Sequence, residues 1–555
     1  MFRKSLLHFG LRRNRERCHG LQRVTVNYGD IHRLDASSAA VMGANVKPKT
    51  MDDLGGPSFM ATLNWLFVKG YFQTTQQMQI EHKKIYGPLW KSKYGPIILV
   101  NVASANFIEQ VLRQEGRHPV RSDMPHWRTY RELRNQAYGP LTEMGAKWLR
   151  IRSILNPRML KPKHVSSYAN TINQVVSDFI ERVAWLRETN GQGVMVNDLT
   201  GELYKFAFEG ICSVLFESRM GCMNKEVPEE TQQFIFSVGE MFRLSPILIL
   251  FPKSTWPYLP FWKKFVAAWD YLFKVAEELV HGKMKEIEEK VDLDQNLEGA
   301  YLTHLLLSDQ MTVTEILGSI TELLLAGVDT TSNTISWCLY HMAKEPEIQE
   351  KLYQEVISVC PGDKVPVSDD ISHMPYLKAI IRETLRFTCT VELRLYKHQG
   401  GIDLLTEVVS SGTRERTVSV ENEVVVGDYI FPKHTLFHLC HYAASYDENI
   451  FTDPHTFVPE RWLRGVEEKS KQHPFGSVPF GFGIRACLGR RLAELEMYLL
   501  MSRLIKTYEV RPDPAGTDVK PITRTLLCPA TPINLQFLDR RGEREEPREA
   551  TRVSL

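Results

Sequence analysis

The chain has 555 residues, 43% hydrophobic and 24% charged, the balance of a globular protein with a large core. A formal charge of +2 gives no case for a nucleic-acid partner. Its nine cysteines, at 18, 212, 222, 338, 360, 389, 440, 487 and 528, form no C-x-x-C pair. That argues against a zinc ribbon or a disulfide framework and leaves any important cysteine to act alone.

Residues 1–24 carry six Arg and one Lys against a single acid, Glu16, with Leu6, Leu7, Phe9 and Leu11 able to share part of a helical face. This pattern suits a mitochondrial transit peptide better than a secretory signal, with a disordered basic tail as the plainer reading. Residues 1–50 are therefore expected to be leader, 51–538 one domain, and 539–555 a charged, solvated tail. No apolar run approaches the ~18 residues that span a bilayer, so any membrane contact is peripheral.

From about 52 to 300 the chain reads as helices joined by loops, with a strand-like stretch at 96–103, PIILVNVA. Trp148 and Arg152, four apart, share a helix face. The segment SPILILFPKSTWPYLPFWKKF (245–265) combines four prolines with Trp256, Tyr258, Phe261 and Trp262, followed by Lys263 and Lys264. It reads equally as a membrane-interface dip or as a buried connection between two helices. Thr312-Val-Thr-Glu315 is a capping box, and Ile316, Ile320, Leu323, Leu324, Gly327 and Thr331 follow at helical spacing. Inside that helix Asp329, Thr330 and Thr331 interrupt the apolar pattern, which costs free energy unless they have partners or a task. Beside them Ala326-Gly327 would allow a ligand near the backbone and a local widening of the helix. The stretch 423–443, EVVVGDYIFPKHTLFHLCHYA, is strand-like and broken by Gly427 and Pro432.

The strongest signal is PFGFGIRACLGRR, 479–491. Cys487 stands in a loop with Phe480, Gly481, Gly483, Arg485 and Gly489, and glycines let the backbone approach a large flat ligand closely. Backbone N–H groups and the N-terminus of a following helix (490–505) would favour the thiolate, the form that ligates metal.

The run F-G-x-G-x-R-x-C-x-G resembles the haem-binding loop of the cytochrome P-450 family, the haem–thiolate monooxygenases. Resemblance implies a mainly α, helix-rich single domain with small β-sheets, and haem b between the long central helix and the cysteine loop. Cys487 would be the axial iron ligand, Trp148 and Arg152 would reach a haem propionate, and Arg485 would pair with the haem rim. The AGVDTTS run (326–332) matches the family's oxygen-activating turn, so Asp329 and Thr330 would relay protons to bound dioxygen. Glu383-x-x-Arg386 with Arg461 matches a buried structural network. Lys378 and Arg382 match the positions at which the mitochondrial branch docks an adrenodoxin-type ferredoxin, served by an NADPH-dependent reductase, and Arg490 and Arg491 extend that patch. Within this branch the likeness is strongest to sterol 27-hydroxylases, implying a sterol side chain and dioxygen as substrates. It also implies a monomer, peripheral on the matrix side of the inner mitochondrial membrane. Alternatives within the class are vitamin D or retinoid substrates; outside it, a haem-binding protein without activity, or a non-haem scaffold with a coincidental cysteine.

One segment departs from the pattern. After Glu383-x-x-Arg386 the family continues with Leu-Tyr-Pro and a short strand, whereas here Phe387-Thr-Cys-Thr precedes an imperfect echo, Val391-Glu-Leu-Arg394-Leu-Tyr. Familiar sequence resumes near 417. Residues 387–416 are either an insertion looping to solvent or the product of a wrongly joined exon, and Arg416 is the candidate for the strand's basic residue.

Overall fold

The computed structural model describes residues 49–540, apart from 95–96, 117–123, 190–192, 250, 294–300, 389–416, 420–422, 434, 466–471 and 525. Almost all of the leader (1–48), of the charged tail (541–555) and of the atypical 387–416 segment, Arg416 included, therefore lies outside the described residues.

The helices that position the site are labelled in chain order, shorter ones being left unlabelled. They are α1 Pro125–Arg134, α2 Gly145–Leu160, α3 Ala169–Thr189, α4 Leu199–Leu215, α5 Glu229–Leu248, α6 Pro260–Asp292 and α7 Val313–Lys344. After them come α8 Pro346–Val359, α9 Pro375–Phe387 and α10 Arg490–Thr507. The expected helix-rich domain with small sheets is what forms. Four strands, β1 Leu89–Tyr94, β2 Ile97–Val102, β3 Thr417–Ser419 and β4 Leu436–Leu439, make a sheet in the order β1-β2-β4-β3. The β2–β4 pair is parallel, with Val100 opposite Phe437. The other sheets have two or three short strands; in one of them Gly427, at φ 58°, turns the chain between Val424–Val426 and Tyr429–Phe431.

Helix α7, 32 residues and about 48 Å long, is the axis of the domain. It starts at the capping box read from the sequence: Glu315 N donates to the Thr312 hydroxyl at 3.2 Å, and Thr312 N donates to the Glu315 carboxylate at 2.8 Å. Its side chains are buried from Ile316 to Leu325 and again from Thr331 to Tyr340, so neighbours surround it on every side at both ends. Helix α4 lies against it so closely that a Cβ on Gly327 would meet Ile211 at 3.1 Å. Glycine is thus needed there for helix-to-helix contact, not only for a ligand. No widening is seen: α7 runs unbroken through 326–331.

The greasy 245–265 stretch divides into two kinds of surface. Trp256 and Trp262 are buried, stacked at 5.3 Å, with Phe265 beyond them. His126 of α1 lies against the same rings, and burial pulls its pKa down to about 3, keeping it neutral. Tyr258, 85% exposed, and Phe261 remain outside. For the tryptophans the buried connection is the correct reading, because the turn between α5 and α6 folds them back under α1. No described helix is long and apolar enough to cross a membrane. Truncation of Trp256 to Ala should therefore cost about 3–5 kcal/mol, read as a lowered denaturant midpoint of unfolding.

Candidate active site

The residues singled out in the sequence lie on α7 and in the loop before α10, and both stretches are less covered than the chain on either side of them. On the α7 side, Ala326, Gly327, Asp329 and Thr330 are only half-buried, although both flanks of the helix are fully covered. The Thr330 hydroxyl donates to the Ala326 carbonyl at 2.7 Å, and Asn333 Nδ2 donates to the Asp329 carboxylate at 3.3 Å. The Thr331 hydroxyl is buried and has no hydrogen-bond partner among the described residues.

On the other side Cys487 is exposed while Arg485 and Leu488, on either flank, are buried. The loop is closed by Cys487 N donating to the Phe480 carbonyl at 2.8 Å and Ala486 N donating to the Gly483 carbonyl at 3.0 Å. Gly481 and Gly483, both at φ 71°, adopt the left-handed turns this closure requires. Gly489 caps α10, whose positive N-terminus begins three residues after the sulfur. Arg152 Nη2 donates to the Ala486 carbonyl at 2.8 Å. Burial lowers the Arg152 pKa and the nearby Cys487 sulfur opposes that fall. Trp148 has its ring 4.0 Å from the Arg485 guanidinium, which donates to the Glu143 carbonyl at 3.1 Å. Trp148 Nε1 donates to the Pro140 carbonyl at 3.2 Å, so its indole N–H is engaged by the chain itself.

These residues fit a haem. The loop offers an accessible thiol, α7 offers a half-covered turn, and two buried guanidinium groups stand beside the thiol, ready for an acidic rim. Among the described residues no cluster of His, Cys, Asp and Glu offers an alternative metal site.

Behind the loop lies the charge network. Glu383 accepts from Arg386 Nη2 at 2.7 Å and Nε at 2.9 Å, and from Arg461 Nε at 3.2 Å. Trp462 Nε1, at 2.8 Å, and the Val458 amide, at 3.1 Å, complete its shell; neither was picked out in the sequence, although Trp462 directly follows Arg461. Arg386 also binds the Ser445 and Pro454 carbonyls, and Arg461 the Thr452 carbonyl. Also on α9, Lys378 is half-buried and Arg382 exposed, and the Lys378 pKa is lowered by burial and by Arg382. Glu494 of α10 acts on Lys378, Arg382 and Arg490 both act on Tyr498, and Arg490 pairs with Glu494 at 3.1 Å. Lys378, Arg382 and Arg490 thus share one surface, with Arg491 exposed at its edge.

Comparison with known proteins agrees with this geometry. The family model described as Cytochrome P450 matches residues 54–399 and 408–537. Among curated proteins, the mitochondrial sterol 26-hydroxylase of Rattus norvegicus is 43% identical over 497 residues, covering 89% of each chain. That of Homo sapiens is 43% identical over 480 residues, covering 86% of each. The mitochondrial 25-hydroxyvitamin D-1 alpha hydroxylase of Homo sapiens is 39% identical over 504 residues, covering 89% of this chain and 93% of its own. Among solved structures, the heme domain of cytochrome P450DA superposes with a TM-score of 0.68 at 19% identity, covering 85% of this chain and 95% of its own. This chain belongs to the cytochrome P450 family. The interruption of the family match at 400–407 falls inside the atypical segment.

Replacing Glu383 by Gln removes the carboxylate that two buried guanidinium groups share. The expected loss is about 3–5 kcal/mol, measured as a lowered unfolding midpoint together with reduced haem retention; a midpoint within 1 kcal/mol of wild type would contradict the network's role.

Proposed function

We propose that this chain is a mitochondrial haem–thiolate monooxygenase that hydroxylates a sterol side chain, taking electrons from an adrenodoxin-type ferredoxin and its NADPH-dependent reductase. The observation that carries this reading is the accessible Cys487 in its closed glycine loop, in a chain whose relatives are mitochondrial sterol 26-hydroxylases and 25-hydroxyvitamin D-1 alpha hydroxylases.

When bound, the haem supplies the redox chemistry that splits dioxygen and places one oxygen atom in a C–H bond. The chain's own residues do the rest. The Cys487 thiolate is the metal ligand, and the α10 N-terminus and Arg152 hold its negative charge. Arg152 and Arg485 anchor the acidic rim of the group, with Trp148 stacked on Arg485 to fix the orientation of that guanidinium. Asp329 stores a proton beside the chamber. Thr330, its hydroxyl tethered to the Ala326 carbonyl, offers its oxygen as the next stop. The apolar flanks of α7 keep bulk water from this route. Tyr258 and Phe261, exposed just before Lys263 and Lys264, form a peripheral membrane foot beside which an apolar substrate enters.

A second reading has its own support. If the 387–416 segment spoils the pocket wall, the protein binds haem without turning over a sterol; the interrupted family match favours this alternative.

A ferrous–carbon monoxide difference spectrum should show the red-shifted, thiolate-type Soret band in the wild type and lose it in Cys487→Ser. Absence of the band in the wild type refutes the proposal, and a normal band without oxidation of sterol or secosteroid selects the second reading. Lys378→Glu should slow ferredoxin-driven turnover at least tenfold while sparing turnover with an artificial oxidant; equal loss by both routes would remove Lys378 from the docking surface. Tyr258→Ser with Phe261→Ser should weaken binding to anionic vesicles severalfold with little change in unfolding midpoint, and unaltered binding would dismiss the membrane foot.

A further inference from the structure

Glu322, on α7 one turn before Ala326, is fully buried yet belongs to none of the groups above. Its carboxylate accepts from Leu141 N at 2.7 Å, Gly139 N at 3.2 Å, Thr142 N at 3.3 Å and the Thr142 hydroxyl. Arg131 Nη2 of α1 approaches at 3.4 Å. Arg131 is itself fully buried, 4.2 Å above the Trp269 ring and 4.4 Å from that of Phe273, both on α6. Its Nε and Nη1 have no hydrogen-bond partner among the described residues. Among the described residues Glu322 is thus the one carboxylate that acts on this cation, and it opposes the fall that burial imposes on the Arg131 pKa.

Two glycines make the approach possible. A Cβ on Gly318 would meet the Ala137 carbonyl at 2.5 Å, and one on Gly139 would meet the Glu322 carboxylate at 2.5 Å. The turn held in this way contains Pro140, whose carbonyl receives the Trp148 indole N–H. Trp148 stacks on Arg485 in the cysteine loop, and Arg152, one turn further along α2, binds the Ala486 carbonyl of that loop. A continuous path of hydrogen bonds and packed rings therefore runs from the turn before Asp329 and Thr330 to the residue next to Cys487.

We propose that Glu322 is a positioning residue for the reaction, fixing the oxygen-side turn of α7 in register with the cysteine loop through the 139–142 turn. A carboxylate is required because every neighbour is a donor: four N–H or O–H groups and a guanidinium converge on two oxygens. An amide would turn its own donors toward them. The functional consequence is coupling, meaning the share of reducing equivalents that ends in hydroxylated product and not in peroxide, because a misplaced proton route releases reduced oxygen before use.

This inference rests on the roles proposed above for Asp329 and Thr330, and its test separates the two. In the full-length protein, Glu322→Gln should speed hydrogen exchange at the Leu141 and Thr142 amides at least tenfold, a readout independent of haem chemistry. In the haem-loaded fraction the coupled share should fall threefold or more, with the sterol KM moving less than twofold. Glu202→Gln, which breaks the buried Arg182 pair on α3 and α4, is the control: it should destabilise the fold while leaving coupling and the 139–142 amides at wild-type values. Thr142→Val, which deletes a single donor, carries the same expectation if Glu322→Gln does not fold. Unchanged exchange overturns the staple itself. Faster exchange with coupling per haem intact overturns its role in the reaction and leaves Glu322 a structural residue only. Faster exchange and lost coupling in Glu322→Gln, with Asp329→Asn fully coupled, supports the staple and faults the assignment of Asp329.

Discussion

A single carboxylate organises the half of the molecule that carries the cysteine loop. Glu383 is shared by two guanidinium groups, an indole N–H and a backbone amide, with the carboxylate and both guanidinium groups buried. One negative charge against two positive ones is stable in a dry interior only if the surplus is spread over other acceptors. The Ser445, Pro454 and Thr452 carbonyls, aimed at the two arginines, provide this. Satisfying the charges therefore dictates where three separate backbone stretches lie. Because α9 contributes Glu383 and Arg386 to the buried network and carries half-buried Lys378 and exposed Arg382, the same constraint sets the position of the basic surface.

For α7 the ordering principle is different. Helix α7 is held by apolar packing along most of its length, and buried charge enters at one point, where Glu322 meets Arg131. The two halves of the site thus meet a rigid, charge-locked frame on one side and a packed helix on the other. Trp148, Arg152 and Arg485 form the seam between them. A seam of stacked rings and hydrogen bonds to carbonyls tolerates small displacements better than two facing ion pairs would, which suits a chamber that must admit a bulky apolar molecule.

Much of this was legible in the residues because the chemistry constrains local sequence. A capping box, a cysteine in a glycine-rich loop, and an acid three residues before a base on a helix each occupy a short window, and each was found where expected. What could not be read depends on residues far apart in the chain. Trp256 and Trp262 look like interface aromatics until α1 is seen lying over them. Gly327 invites a ligand-based explanation until Ile211, more than a hundred residues earlier, is seen in the space its Cβ would need. Glu322 passes for a polar residue in a leucine-rich run, and its donors at 139–142 carry no signature of their own. Trp462 directly follows Arg461, but nothing in its type announced that its N–H would fill the Glu383 shell.

The contact between Gly327 and Ile211 has a consequence for how two long helices are spaced. A methyl added at 327 would stand 3.1 Å from the Ile211 side chain, closer than packed carbons sit, so either that side chain or the helix spacing must give by tenths of an ångström beside Asp329 and Thr330. Trimming Ile211 would relieve the same contact from the α4 side. The spacing of α4 and α7 at this turn is thus set jointly by two residues far apart in the chain.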